Sequence, residues 1–305
     1  MIVTSKAASG ATMSLVKLCK DGDLEGVKAA LQSGADVNTK DKIGETGLMG
    51  ALRNKHNLVV ELLLKTPNID VNQKSDRGLC ALHMALWKKL HLADVSKLSI
   101  EALKLLLDVP NIDVNCVNND GWSAVHVAVN IGNNKGLKLL LNVPKINVNI
   151  VNNYGDSALH RAVKQGNTEG LKLLLSHPSI DVNILDTSGF GALHWAVVEK
   201  NIEGLKLLLD VPNIGGDIVD KTGRNVLHVA VEKDNIEGLK LLLSHPNLTA
   251  LALNQENKRD GATPVMLAVM NGSYRWQHLE LLAADPRVDL DTTDVKGRSL
   301  EEVAR

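Results

Sequence analysis

One histidine returns at positions 126, 160, 194 and 228, 34 residues apart each time, and glycines at 121, 155, 189 and 223 keep step with it. So do Ala128, Ala162, Ala196 and Ala230, while leucine triplets recur at 105–107, 139–141, 173–175, 207–209 and 241–243. Upstream, Gly44 and Gly78 hold the same step. His83 and His126 stand 43 apart, which places a nine-residue insertion at 90–98, and Gly223 to Gly261 spans 38, an addition of four near "NQENKRDG". A period in the thirties leaves little choice of architecture. Each copy is one supersecondary unit too small to bury its own apolar face, so neighbouring copies must stack.

Each copy reads the same way. After the glycine comes Thr46, Ser123, Ser157, Asn225 or Thr263, N-caps whose side-chain oxygen accepts an amide of the first helical turn. A short "ALH.AV" helix follows, and Pro264 falls where a helix start tolerates proline. Asn133, Asn167, Asn201 and Asn235 then open a second helix, with Glu169, Glu203 and Glu237 in its first turn, where negative charge suits the helix dipole. Its "GLKLLL" leucines supply most of the apolar surface. Proline ends it at 67, 110, 144, 178, 212, 246 and 286, so seven of the eight prolines do one job, stopping a helix they cannot continue. "IDVN" leads as an extended segment to the next glycine. Helices this short are marginal alone. They persist by burying the leucine face between neighbours.

The stretches "DGATPVMLAVMNG", "DSALHRAVKQGNTEGLKLLLSHPSIDVN" and "LQSGADVN" resemble the ankyrin repeat, with its tip glycine, TPLH-type helix start and GADVN-type exit. The resemblance covers about residues 14 to 305 and recurs about eight times. Most copies here run one residue longer than the GADVN form, and Ser, Ala or Gly often replaces the family's Thr-Pro. The fold implied is all-α, an ankyrin-repeat α-solenoid. Residues 1–13 read as a leader and 14–305 as a single solenoid, divided 14–38 (a more polar capping copy), 41–72, 75–115 (with the insertion 90–98), 118–149, 152–183, 186–217, 220–250, 258–290 and a partial copy 294–305. The paired Gly215 and Gly216 loosen one link.

Composition excludes several functions. With 34 basic and 35 acidic residues there is no basic stripe for nucleic acid and no polybasic membrane surface. No apolar run is long enough to span a bilayer, and the start lacks a secretory h-region. A monomeric, intracellular and cytoplasmic protein is expected. Cys19, Cys80 and Cys116 are odd in number and widely spaced, and so are expected as free thiols rather than a disulfide framework or zinc site. Consecutive column histidines stand about one helix diameter apart, ~10 Å, too far for two to share a zinc. The resemblance implies that they hydrogen-bond backbone in the adjacent turn. No nucleophile elbow and no GxxxxGK[ST] phosphate loop occurs. No enzyme activity, catalytic residue, cofactor or metal is expected.

The resemblance implies a different use: a protein or peptide partner held on the concave surface made by turn tips and first helices. Only seven residues are aromatic, and five fall in these variable columns. Trp122 and Phe190 follow a tip glycine, Tyr154 precedes one, Trp195 follows a column histidine, and Trp87 closes a first helix. With Ile131, Arg161 and Val198 they make the expected partner-binding set, aromatics and arginine being enriched at interface hot spots. Charged residues nearer both ends, among them Glu45, Arg53, Arg224 and Glu232, would supply a rim. The function expected is an interaction scaffold or adaptor. The alternative is the regulatory or targeting module of a larger enzyme, receptor or ubiquitin-ligase adaptor continuing beyond Arg305. Asn72, Asn115, Asn149 and Asn183 end the "VN" segments. The resemblance implies hydroxylation by an intracellular asparaginyl hydroxylase, whereas local chemistry favours a turn-pinning role.

Overall fold

The capping residues read from the sequence start helices. Thr46 accepts the amide of Met49, and Ser157 that of His160. Asn167, Asn201 and Asn235 cap second helices through the amides of Gly170, Gly204 and Gly238. Each also donates backward, Asn201 to the Val163 carbonyl at 3.0 Å and Asn235 to that of Val197 at 2.9 Å. A single side chain thus starts one helix and ties it to the preceding repeat.

The computed structural model describes residues 14–86, 100–246, 248–270 and 275–304. The leader 1–13, the insertion 90–98 and Trp87 lie outside the described residues. Among the described residues there are eighteen helices and no strand beyond isolated bridges such as Lys40 with Thr46 and Val151 with Ser157. Two compact units are distinguished. One runs to Val127 and includes Asn142–Ile146; the other comprises Ala128–Leu141 and Asn147–Arg305.

In the first unit α1 (Leu15–Asp21), α3 (Gly47–Asn54) and α5 (Ala81–Leu86) pack in sequence as one layer. The second layer is α2 (Leu24–Gln32), α4 (Asn57–Leu64) and α6 (Ile100–Leu107). Helix α7 (Ala124–Asn130) begins in this unit and ends in the other. In the second unit α9 (Ala158–Lys164), α11 (Ala192–Val198), α13 (Val226–Glu232), α16 (Pro264–Met270) and α18 (Leu300–Ala304) form one layer. Its other layer is α8 (Asn134–Leu141), α10 (Thr168–Leu175), α12 (Ile202–Leu209), α14 (Ile236–Ser244) and α17 (Trp276–Ala283). A short extra helix, α15 (Ala250–Leu253), lies just before "NQENKRDG", the stretch near which the sequence reading placed four added residues. In each "GLKLLL" copy of this unit two leucines three apart are fully buried: Leu137 with Leu140, Leu171 with Leu174, Leu205 with Leu208, Leu239 with Leu242. At about 1.5–3 kcal/mol per buried leucine, this seam holds together helices too short to stand alone.

The hairpins between repeats follow one bonding scheme. Asp186 Oδ1 accepts the amides of Ser188 and Phe190 at 2.8 and 2.9 Å, and the Tyr154 carbonyl accepts Thr187 of the next hairpin at 2.9 Å. The tip demands glycine twice over. Gly155 has φ 75°, and a Cβ there would lie 2.6 Å from the Thr187 amide. The "VN" asparagines bridge repeats. Asn149 donates to the Ser179 carbonyl at 2.7 Å and accepts Asp181 at 2.9 Å. Asn72 and Asn183 make the same pair of bonds, Gly215 supplying the amide for Asn183, and Asn115 donates to Lys145. Replacing Asn149 with alanine removes two hydrogen bonds, an expected loss of about 2 kcal/mol in urea unfolding. A midpoint equal to wild type would show that the bridge does not hold the repeats.

The cysteines correct the sequence reading. Cys80 and Cys116, expected as free thiols, are joined as a disulfide, and Cys19 remains free and buried. Spacing hid the pairing because the lengthened third repeat separates the two by 36 residues. In space they meet because the cap position of a first helix faces the residue that follows the exit asparagine. Burial pushes the Cys19 thiol up to about 12.

Candidate binding surface

The residue after each tip glycine recurs eight positions before the close of the first helix, and the two side chains meet. Glu45 and Arg53 form a two-pronged pair at 2.5 and 2.7 Å. Asp156 and Lys164 meet at 2.6 Å. Arg224 and Glu232 repeat the pair at 2.7 Å with the signs exchanged. The repeat between the last two puts Phe190 and Val198 in these positions. One site therefore takes either an ion pair or two apolar groups.

In the second unit these positions join into a strip. Arg161 donates to Asn130 at 2.6 Å and lies 3.7 Å from Asp156. Lys164, bonded to Asp156, sits 3.6 Å from the centre of the Trp195 ring. Trp195 donates its indole N–H to Asp186 at 2.9 Å and meets Phe190 edge-on at 5.5 Å. Beyond Phe190, the Arg224 guanidinium stands 6.0 Å from the ring and is tied to Asp220 and Glu232. Arg161 and Trp195, alternative choices at one repeat position, thus meet the same neighbour: Lys164 shares Asp156 with the arginine and covers the tryptophan ring.

Phe190, Trp195, Arg161 and Val198 are half-buried, as are Trp122 and Ile131, and none belongs to the buried aliphatic core. Tyr154, at a hairpin tip, is 67% exposed, with Val151 and Leu185 also exposed along the hairpins. Trp122 lies in the first unit, its ring 5.9 Å from His126. Sequence reading missed the polar partners Asp156, Lys164 and Asp186. The signal was there: opposite charges recur at a spacing of eight in three copies. It also placed Glu45 on an open rim, whereas Glu45 is only 4% exposed, covered by Arg53 and by Lys20, which also pairs with Asp41. Nearby, a cavity of about 260 Å³ is lined by Ile43, Arg53, Arg77 and Met84.

The column histidines anchor the backbone beneath this face. Nε2 of His160 donates to the Phe190 carbonyl at 3.1 Å and Nε2 of His228 to that of Ala262 at 3.0 Å. In His194 the Arg224 carbonyl faces the ring, but Nε2 is buried without a hydrogen bond. Each Nδ1 accepts the amide three residues back, from Ser157, Gly191 and Asn225. That arrangement needs neutral imidazole. Burial holds all three below the ordinary histidine value, His194 down to about 4.

Four stretches, 15–98, 90–186, 178–251 and 193–294, match the profile of ankyrin repeats in three copies. The chain belongs to the ankyrin-repeat family. Over 78 residues it is 32% identical to mouse (Mus musculus) Rabankyrin-5, a stretch that covers 26% of this chain and 7% of that protein. Ankyrin repeats are in general protein–protein interaction modules and typically not enzymes. Among the described residues no helix is long and apolar enough to cross a membrane.

Proposed function

We propose that this chain is an interaction scaffold or adaptor that holds a protein or peptide on the face carrying Tyr154, Phe190 and Trp195. The observation that carries this reading is the Lys164–Trp195–Phe190 stack, aromatic surface kept out of the leucine seam. The neighbouring charges are already neutralised within the strip, Lys164 and Arg161 by Asp156 and Arg224 by Asp220 and Glu232. What the face offers a guest is therefore ring surface, suited to an apolar side chain of a peptide rather than to a strongly charged one. Near-zero net charge supports protein rather than nucleic acid as partner. On this reading the chain works without cofactor or catalysis, as a cytoplasmic monomer.

Peptides selected from a displayed library against the wild-type chain test it. Phe190→Ala with Trp195→Ala should weaken them by about 1,000-fold, as two central aromatics at about 2 kcal/mol each would, with helical circular dichroism preserved. Selected peptides that bind the double variant as tightly would move the site elsewhere. A second reading, a targeting or regulatory portion of a larger enzyme, receptor or ubiquitin-ligase adaptor, is favoured by the match to a relative of which it covers 7%. The full reading frame of the transcript decides between them.

A further inference from the structure

Two of the chain's three cysteines converge on one imidazole. Cys80 caps α5, three residues before His83, and its Sγ lies 3.0 Å from His83 Nδ1. Cys116, from the next hairpin, brings its Sγ to 3.9 Å from the same nitrogen. The three donor atoms all lie within 4.8 Å of one another. Cys80, His83 and Cys116 are 3%, 1% and 4% exposed. The repeat pattern makes this meeting specific. Elsewhere the cap position holds Thr46, Ser123, Ser157, Gly191, Asn225 or Thr263, and the position after the exit asparagine holds Thr39, Gln73, Ile150 or Ile184. Only the third repeat and its successor place sulfur at both.

We propose that Cys80, His83 and Cys116 in the dithiol form bind one thiophilic d10 cation, zinc(II) or copper(I). Thiolate ligands select these cations. Bonds of about 2.3 Å to sulfur and about 2.0 Å to nitrogen put sulfur and nitrogen ligands roughly 3.5 Å apart, between the two separations observed. The imidazole is set for the task. Nε2 lies 2.8 Å from the Trp122 carbonyl oxygen, so the ring proton sits there and the Nδ1 lone pair faces the sulfurs. A metal-binding histidine is commonly oriented by such a carbonyl. Occupancy costs Nδ1 one neutral hydrogen bond, from the Cys80 amide at 3.2 Å. The disulfide and the metal exclude each other. A dithiol reductant gives two electrons and two protons to the sulfur–sulfur bond, yielding two thiols and its own disulfide. The cation then displaces the two thiol protons to solvent as the metal–thiolate bonds form.

The test uses the full chain, reduced with a phosphine under argon and desalted. It is titrated with zinc(II), with cobalt(II) as a coloured reporter, and with copper(I) in competition with a chromophoric chelator. One equivalent of zinc or copper should survive gel filtration, with a thiolate-to-cobalt charge-transfer band in the cobalt arm. Which metal is retained distinguishes the two sources. The oxidised chain should retain none. Cys116→Ser and His83→Gln should each weaken binding about ten-fold or more, and Cys80→Ser keeps the helix cap that Ser123 and Ser157 provide in other repeats. Failure of the reduced wild-type chain to retain either metal overturns the site. So does equal binding by a folded Cys80→Ser, Cys116→Ser double variant.

Discussion

Asp156→Ala is expected to cost about 3 kcal/mol of folding stability, read from urea or guanidinium unfolding. The carboxylate is nearly covered and holds Lys164 at 2.6 Å and Arg161 at 3.7 Å. Removing one member of a buried pair strands the other charge, which costs about 3–5 kcal/mol when burial is complete. The two cations keep some contact with water, which puts the expectation at the low end. The neighbouring repeat suggests the rescue. There Phe190 and Val198 occupy the positions of Asp156 and Lys164, so Asp156→Phe with Lys164→Val substitutes an apolar pair the frame already accepts. Replacing both partners of a buried pair by packed apolar groups is often neutral. The double variant should therefore recover most of the loss, the remainder being the Arg161 charge left without Asp156. If the single change lowers stability no more than an exposed substitution, about 0.5 kcal/mol, the cluster is not a structural element. Loss of Lys164 also uncovers Trp195, so the same double variant reports on peptide binding independently of stability.

The repeat frame was legible because it is enforced by local chemistry many times over. Tip glycines at positive φ, oxygen-bearing caps such as Ser157, and the prolines that stop second helices are single-residue signals, and 34-residue spacing aligned them. That column histidines bond backbone followed from the family resemblance, and the geometry of His160 and His228 agrees. What stayed hidden involves pairs. Phe190 and Trp195 were visible as residues out of place in an aliphatic core, but not the lysine above the indole or the carboxylate of Asp186 below it. The lysine comes from the preceding repeat, so the copy holding Trp195 does not contain it. Asp186, though in the same copy, meets the indole across nine residues only once the hairpin is folded against the helix. Glu45 shows the opposite error. A charged residue beside a hairpin tip reads as rim, yet Arg53 and Lys20 converge on it and cover it. The cysteine pair was concealed for a third reason. The insertion breaks the period between Cys80 and Cys116, so their columns could be aligned only once the helices were in place.

Acid should destabilise the second unit well before its carboxylates protonate. His160, His194 and His228 are buried with Nδ1 accepting a backbone amide, and their folded values lie below the ordinary 6.5. Burial is the main cause in each. Asp156 and Asp186 oppose it at His160 while Lys164 adds to it. Asp220 and Asp186 oppose it at His194 against Arg224, and Glu232 and Asp220 at His228 against Arg224. Between the folded and unfolded values the unfolded chain binds more protons, so stability is full above about pH 6.5 and is lost as pH falls. For His194, displaced to about 4, the loss approaches 3 kcal/mol by the time the folded value is reached, at about 1.4 kcal/mol per pH unit. A second, separate loss begins below the ordinary carboxylate value, where Asp220 and Asp294, held low by their hydrogen bonds and by Arg224 and Arg298, take up protons. Denaturant midpoints at pH 7.5, 6.5, 5.5 and 4.5 should therefore fall across the histidine window, and His194→Gln should flatten part of that slope while lowering the plateau. Midpoints level from pH 7.5 to 4.5 would mean that the column histidines accept protons in place, and that losing the amide bonds at Nδ1 costs the fold nothing measurable.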